Sequence, residues 1–369
     1  MNNKNKPKTL YTNIKINNSM KRGKMNRRYY AVALLVCLIL LVSACKKSGA
    51  ATGGAPRTPF IGGTSGITMN FEKDSPPPEV TDDGSFEFIV LVRLKNEGEA
   101  KVEKNDMKLN LIGFDPNDFG KGFDDVKDVE PEDVLESKKR DAEGNIVEGT
   151  TTFATFPTGG IGNAFNPRKF SGNTEFTFRT DACYHYKTEA NTKLCVLKDM
   201  INVRDDAVCK PTSSRTIYSS SAPVQVTNFR QSVVGKDKLS FSFDISLSGN
   251  VDIFWDKQES KPTKFDNGCP RDPRTRRERE NNVGVEITEL PSDPILAGSP
   301  KCGGLDSGHK GVVKLVSGKR TITCTADLVS DRLDAEKTIG VRLIYNVLDN
   351  KETKVLVKHL ADTSGGFLT

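Results

Sequence analysis

Six cysteines carry the most legible chemistry in this 369-residue chain: Cys183, Cys195, Cys209, Cys269, Cys302 and Cys324. A thiol can be a metal ligand, a nucleophile or half of a disulfide, and spacing separates these roles. The gaps of 12, 14, 60, 33 and 22 residues hold no C-x2-C or C-x4-C knuckle, and only His185, His309 and His359 are available to complete a zinc site. Three scattered histidines also starve Ser-His-Asp or Cys-His catalysis. No G-x-S-x-G, H-E-x-x-H, Walker A or complete G-x-G-x-x-G pattern occurs; the nearest, Gly160-Ile161-Gly162, follows no βα unit. Asp115-Pro116-Asn117-Asp118-Phe119-Gly120 has the outline of a calcium loop. It fails at its fifth position, Phe119, and at its twelfth, Val126, where oxygen donors belong. A solvated acidic loop is expected there, with Asp124, Asp125 and Asp128 left as the residues able to gather a weak extracellular calcium ion. No catalytic residue, metal site or cofactor is assigned.

Whether the cysteines oxidise depends on the compartment, and the compartment is written in Tyr29 to Cys45, YYAVALLVCLILLVSAC. The 16 residues before Cys45 are apolar and uncharged, short of the roughly 20 that a bilayer-crossing helix needs. Ahead of them stand Lys21, Arg22, Lys24, Arg27 and Arg28, the basic flank of a signal peptide. Val42-Ser43-Ala44-Cys45 resembles the lipobox of prokaryotic lipoproteins. That resemblance implies cleavage before Cys45 and diacylglycerol on its thiol, so membrane lipid is an expected partner. Acyl chains contribute about 0.8 kcal/mol per buried methylene, enough for two or more to hold a soluble body on a membrane. The Asn- and Lys-rich leader before Ser19 is unusually long, and translation is expected to begin at Met20 or Met25.

Processing alters the charge argument. The first 28 residues hold nine Lys or Arg and no acid, so the net charge of +6 becomes about −3 after cleavage (6 − 9). Nucleic-acid binding loses its composition cue, and no nucleic-acid partner is expected. With the body outside the cytoplasm, the six remaining cysteines read as three disulfides with 15 connectivities. Locality favours Cys195 with Cys209 and Cys302 with Cys324, while the other pairings stay open.

The elements that must position these groups are strands. Period-two apolar alternation marks Ile67–Phe71, Phe86–Leu94, Met107–Ile112, Phe176–Phe178 and the stretch from Val224, with almost no helical periodicity. Ala182–Tyr186 and Thr192–Leu197 read as a hairpin turning at Glu189-Ala190-Asn191. An internal repeat runs through the pattern. Met69, Phe71, Phe86, Phe88, Val90 and Val92 match Val224, Val226, Phe241, Phe243, Ile245 and Leu247 at an offset of 155. Tyr184 with Thr192–Val196 matches Tyr345 with Thr353–Val357 at an offset of 161. The chain therefore divides into a leader and signal peptide (1–44), a Gly/Ala/Ser-rich tether (45–65), a first β-sandwich with an acidic insertion (66–209), a polar linker (210–221), a second sandwich (222–362) and a tail (363–369). The expected class is all-β: two tandem antiparallel Ig-like sandwiches.

Tyr184 and Tyr345 resemble the tyrosine corner of Ig-like folds, and Leu94-x-Asn96-x-Gly98 resembles the turn of CARDB-type adhesion-related domains. The second unit has Leu247-Ser248-Gly249-Asn250 instead, a departure from that turn. Lipobox, tether, the start PFIGGTSGITMNF and paired sandwiches together look like uncharacterised surface lipoproteins of archaea. The resemblance carries over no active-site residue. It implies a non-enzymatic envelope protein that binds another protein or a glycan outside the cell. An accessory subunit of a secretion, pilus or surface-layer assembly is the second reading, and a carboxylate-dependent secreted hydrolase the third. Trp255, the sole tryptophan, reads as packing rather than a sugar platform, and the arginine-rich run Cys269–Glu280 as a solvated loop inserted between strands.

Overall fold

The computed structural model describes residues 58–258, 261–289 and 296–361; the expected signal peptide, Cys45 and most of the expected tether lie outside them. The described residues belong to one compact unit, Thr58–Thr369. It is all-β and sandwich-like.

Three main sheets account for it. In the first half, β1 (Ile67–Phe71) pairs antiparallel with β3 (Val90–Asn96), and β3 with β7 (Thr151–Phe156). Between them lie β2 (Glu79–Thr81), β4 (Met107–Ile112) and a small hairpin of β5 (Lys139–Arg140) and β6 (Ile146–Val147) in the acidic insertion. Then comes β8 (Thr174–Val196), 23 residues long. The second half repeats this plan. After β9 (Ser213–Ser214) and β10 (Tyr218–Ser219), β11 (Val224–Gly235) pairs with β12 (Lys238–Leu247). Next come β13 (Asp252–Phe254), the helices α1 (Phe265–Gly268) and α2 (Pro273–Arg279), β14 (Asn282–Glu289), β15 (Lys301–Cys302) and β16 (Lys310–Lys314). Last, β17 (Lys319–Asp327) pairs with β12, and β18 (Ala335–Lys358) closes the chain.

The alternation explains the layers. On β12, Leu239, Phe241, Phe243 and Ile245 are buried, while Ser240, Ser242 and Asp244 between them face outward; β3 does the same with Val90, Val92 and Leu94. Phe86, expected in that strand, lies outside it and is exposed, and Phe88 makes only an isolated bridge to Phe165.

The expected hairpin at Glu189-Ala190-Asn191 is absent. β8 runs straight through it, because every residue from Thr174 to Val196 pairs antiparallel with β18, 139 to 183 residues away in sequence (335 − 196 and 357 − 174). A long partner strand outweighs a weak local turn signal. The stretch 210–221, expected as a linker, contributes β9 and β10 and buries Ser220 and Ser221.

The pairing register and the sequence repeat intersect at one place. At an offset of 161, Tyr184, His185 and Tyr186 match Tyr345, Asn346 and Val347, while in the sheet they face Val347, Asn346 and Tyr345. His185 thus lies opposite its own repeat-mate. Antiparallel pairing centred on His185–Asn346 places a local two-fold between β8 and β18 at that pair. The flanking strands obey it too: Leu109 on β4 faces Ala182, and Val285 on β14 faces Leu343, 161 residues on.

Candidate binding cleft

The two-fold brings three tyrosines together on the inner face of the central sheet. Tyr184, Tyr186 and Tyr345 are all buried, with ring centroids 5.8 Å (Tyr184–Tyr186) and 6.4 Å (Tyr186–Tyr345) apart. Each ties down a strand entry or turn. Tyr184 meets the backbone of Ile67, the first residue of β1. Tyr345 accepts from the N–H of Val224, the first residue of β11, at 3.3 Å and bonds Thr188 at 2.9 Å. Tyr186, which sequence reasoning passed over, accepts from Ala100 N at 3.3 Å and donates to Asn96 Oδ1 at 3.4 Å. Burial pushes all three phenols far above their ordinary range, so they act as neutral structural groups. The Asn96–Gly98 turn is built around Tyr186. Asn96 donates to the carbonyls of Ala100 and Leu135 and accepts from Gly98 N.

On the outer face, at the same two-fold, the segment from β13 to α2 covers the sheet. His185 Nδ1 lies 3.1 Å from Asn346 Oδ1, Asn346 donates to Gly268 O at 3.2 Å, and Trp255 packs over the imidazole at 5.4 Å. Burial lowers the His185 pKa despite its Asn346 bond, favouring the neutral ring. The arginine run is largely a clamp for this cover rather than the solvated loop expected. Arg271 stacks on Phe265 and reaches Asp181, Arg276 pairs with Asp252 and Glu280, and Arg279 with Asp256. Arg274 and Arg277 remain exposed.

Beside the cover lies a cleft of about 280 Å³ on the second half, small against ligand pockets of roughly 300–1,000 Å³. Its floor is the row Ile344–Gly284–Val312 across β18, β14 and β16. Gly284 is needed there, because a Cβ would come within 2.6 Å of Trp255 Nε1. Trp255 is 3% exposed, so it walls the cleft and offers no stacking platform. The carboxylates around the cleft are matched: Asp256 by Arg279 at 2.8 Å, Asp306 by Lys257 at 2.8 Å, and Glu286 by Arg342 at 3.2 Å. The Lys257 hydrogen bond holds Asp306 below the usual carboxylate range.

A second polar constellation has no signal in the sequence. Asp82, whose side chain is fully buried, accepts from Phe170 N (2.8 Å) and Leu360 N (2.9 Å) and faces His359 Nδ1 at 2.8 Å. Burial opposes its charge, but these hydrogen bonds outweigh that cost and hold the carboxyl far below its usual range. The described residues lining the adjoining hollow include no Ser, Thr or Cys to serve as a nucleophile. The pair fastens the end of β18 to the first half.

The cysteines form three disulfides: Cys195–Cys209, Cys302–Cys324 and, across 86 residues, Cys183–Cys269 between the halves. The acidic insertion spends its carboxylates on backbone and cations. Asp115 caps Asn117 N, Asp124 pairs with Lys127, Asp125 accepts from Gly122 N, and Asp128 accepts from Phe265 N at 2.7 Å. Phe119 points into an aromatic core with Phe88, Phe165 and Phe178, which is why an oxygen donor does not stand there. Among the described residues no His/Cys/Asp/Glu group is arranged to hold a metal ion, and no helix is long and apolar enough to cross a membrane. The chain matches no protein-family model and no curated protein.

Proposed function

We propose that this chain is a lipid-anchored, non-enzymatic protein of the cell envelope, with two Ig-like units presented outside the cell by a tether from Cys45. The observation that carries the reading is the complete pairing of six cysteines in a body that follows a lipobox. The likeness to CARDB-type domains and to archaeal surface lipoproteins belongs to the same proposal. Intact mass and non-reducing peptide mapping of protein from its own membranes test it. The expected result is a chain starting at lipidated Cys45 with the three disulfide-linked peptide pairs. An unlipidated chain that keeps its leader and has free thiols would overturn it.

One observation favours a second reading, an accessory subunit of a membrane-bound assembly. At one tip, Ile201 (61%), Val208 (62%) and Leu333 (84%) are exposed on loops that are firmly held. Cys195–Cys209 closes one loop, and Asp199, drawn down to about pKa 2 by the N–H groups of Asn202 and Ile201, fixes its turn. Arg332 knots three loops through the carbonyls of Leu197, Val329 and Lys236 and the carboxylate of Asp237. Rigid exposed aliphatics are a common mark of protein contact. Co-purification of a stoichiometric partner that Leu333→Asp abolishes would establish this reading.

A further inference from the structure

We infer that the outer face of the five-stranded sheet is a binding trough for an anionic glycan, gripped by Arg230 between rows of hydroxyls. The inference rests on the extracellular reading above and gives its glycan partner a place and a chemistry.

Pairing sets the rows. Ser214, Arg230, Ser242 and Thr323 stand side by side on β9, β11, β12 and β17, and Ser232, Ser240 and Thr325 form the next row. At about 4.8 Å between strands, the first row is roughly 14 Å long, room for a few sugar rings. A shallow trough of about 420 Å³ runs over Ser214, Arg230, Ser232, Ser240, Ser242 and Thr323. The exposed Arg230 side chain helps to hold Asp244 ionised from a distance, and it makes no hydrogen bond or salt bridge among the described residues. The hydroxyls of Ser214, Ser232, Ser242 and Thr323 have none either.

Hydroxyls both donate and accept, so they can match a polyol from either side. An exposed guanidinium whose hydrogen bonds are not taken up binds a carboxylate or sulfate through two parallel hydrogen bonds. A polypeptide partner fits poorly, because the only aromatic ring in the trough, Phe241, is buried beneath it and no anchor of the hot-spot kind is offered. The contrast with the outer face of the central sheet is informative. There Lys187, Glu189, Arg342 and Glu286 pair with one another as an ordinary solvated face does. On the five-stranded sheet Asp244 stands beyond Ser242 on β12, held by Asn228 at 2.8 Å and Thr321 at 2.6 Å. Its charge closes the trough along the strand, so a polyanion lies across the strands on the Ser214–Thr323 row.

The test is affinity electrophoresis of the full mature protein in detergent, through native gels containing polygalacturonate, dextran sulfate or neutral dextran. Retardation is expected in one or both charged gels and not in dextran, with the stronger gel identifying a carboxylated or a sulfated ligand. Arg230→Gln should weaken binding about tenfold or more, the size of one lost charged hydrogen bond. Ser242→Ala should weaken it less, and Arg274→Gln with Arg277→Gln, on the exposed side of α2, should leave it unchanged. Absence of retardation, equal retardation in neutral dextran, an unaffected Arg230→Gln variant, or equal loss in the α2 variant would each overturn the inference. Peptide mapping of the same sample keeps the two proposals apart. Free thiols would sink the envelope reading whatever the gels show, and a negative gel leaves that reading intact.

Discussion

The two halves of the molecule solve one problem, the turn after the second long strand of each smaller sheet, in different ways. The registers set Ile67 against Asn96 and Val224 against Leu247, so Asn96 and Gly98 in the first half correspond to Leu247 and Gly249 in the second. The tyrosine beneath the first turn, Tyr186, corresponds to Val347. A buried network of Asn96, Tyr186 and four carbonyl or N–H groups stands in one half, and the aliphatic residues Leu247 and Val347 in the other. Polar and apolar solutions are interchangeable only as sets, since half of a buried network leaves unpaired groups.

Breaking the link between the halves should have the largest effect. Replacing Cys183 and Cys269 with alanine removes an 86-residue closure, for which loop entropy gives a loss of about 4.6 kcal/mol. The same change at Cys195 and Cys209, 14 residues apart, should cost about 3 kcal/mol. Denaturant midpoints of the two double variants measure the difference.

The turns themselves offer a sharper contrast. A Cβ on Gly98 would lie 2.0 Å from the Tyr186 hydroxyl, 2.6 Å from Ser65 O and 2.8 Å from Ser221 O. Gly98→Ala should therefore cost about 3 kcal/mol through overpacking. Gly249 has φ +89° and nothing within 4 Å of the same position, so Gly249→Ala should cost only about 1 kcal/mol, all of it backbone strain. Equal losses would show that the two turns are not built differently.

The smallest effect concerns Asp349, the repeat-mate of Thr188. Thr188 satisfies Tyr345, whereas Asp349 is half-buried on the inner face, and burial raises its pKa above the usual aspartate value. A carboxyl raised on folding weakens the fold as it ionises. The penalty is absent well below the unfolded pKa of about 3.9 and grows as pH rises through the folded value. Asp349→Thr should raise the melting temperature at pH 7 and leave it nearly unchanged at pH 3. A gain of equal size at both pH values would refute the ionisation account.

Much of this was legible in the sequence, and the misses have physical causes. Alternation located β1 because one of its faces is buried, and β4 although it is buried on both faces. The offset of 161 was legible because Tyr184 and Tyr345 do the same work. The offset of 155 slipped in both directions: the structure sets Ile67 with Val224, 157 apart, and Asn96 with Leu247, 151 apart. Period-two patterns match equally well after any even shift. The straight course of β8 was hidden because its partner lies in the other half. Arg230 and its hydroxyl rows were invisible because only strand register brings Ser214, Ser242 and Thr323 alongside it.

Glu99 fixes the place where the chain enters the folded body. Its carboxylate accepts from Ile61 N (2.8 Å), Gly62 N (2.9 Å) and Ser221 N (2.7 Å), which staples the incoming chain to the segment joining the two halves. A pull arriving through Thr58 reaches this staple before it reaches any sheet edge. Under the proposed anchorage at Cys45, a load on the chain enters the folded body at this staple and not at a sheet edge.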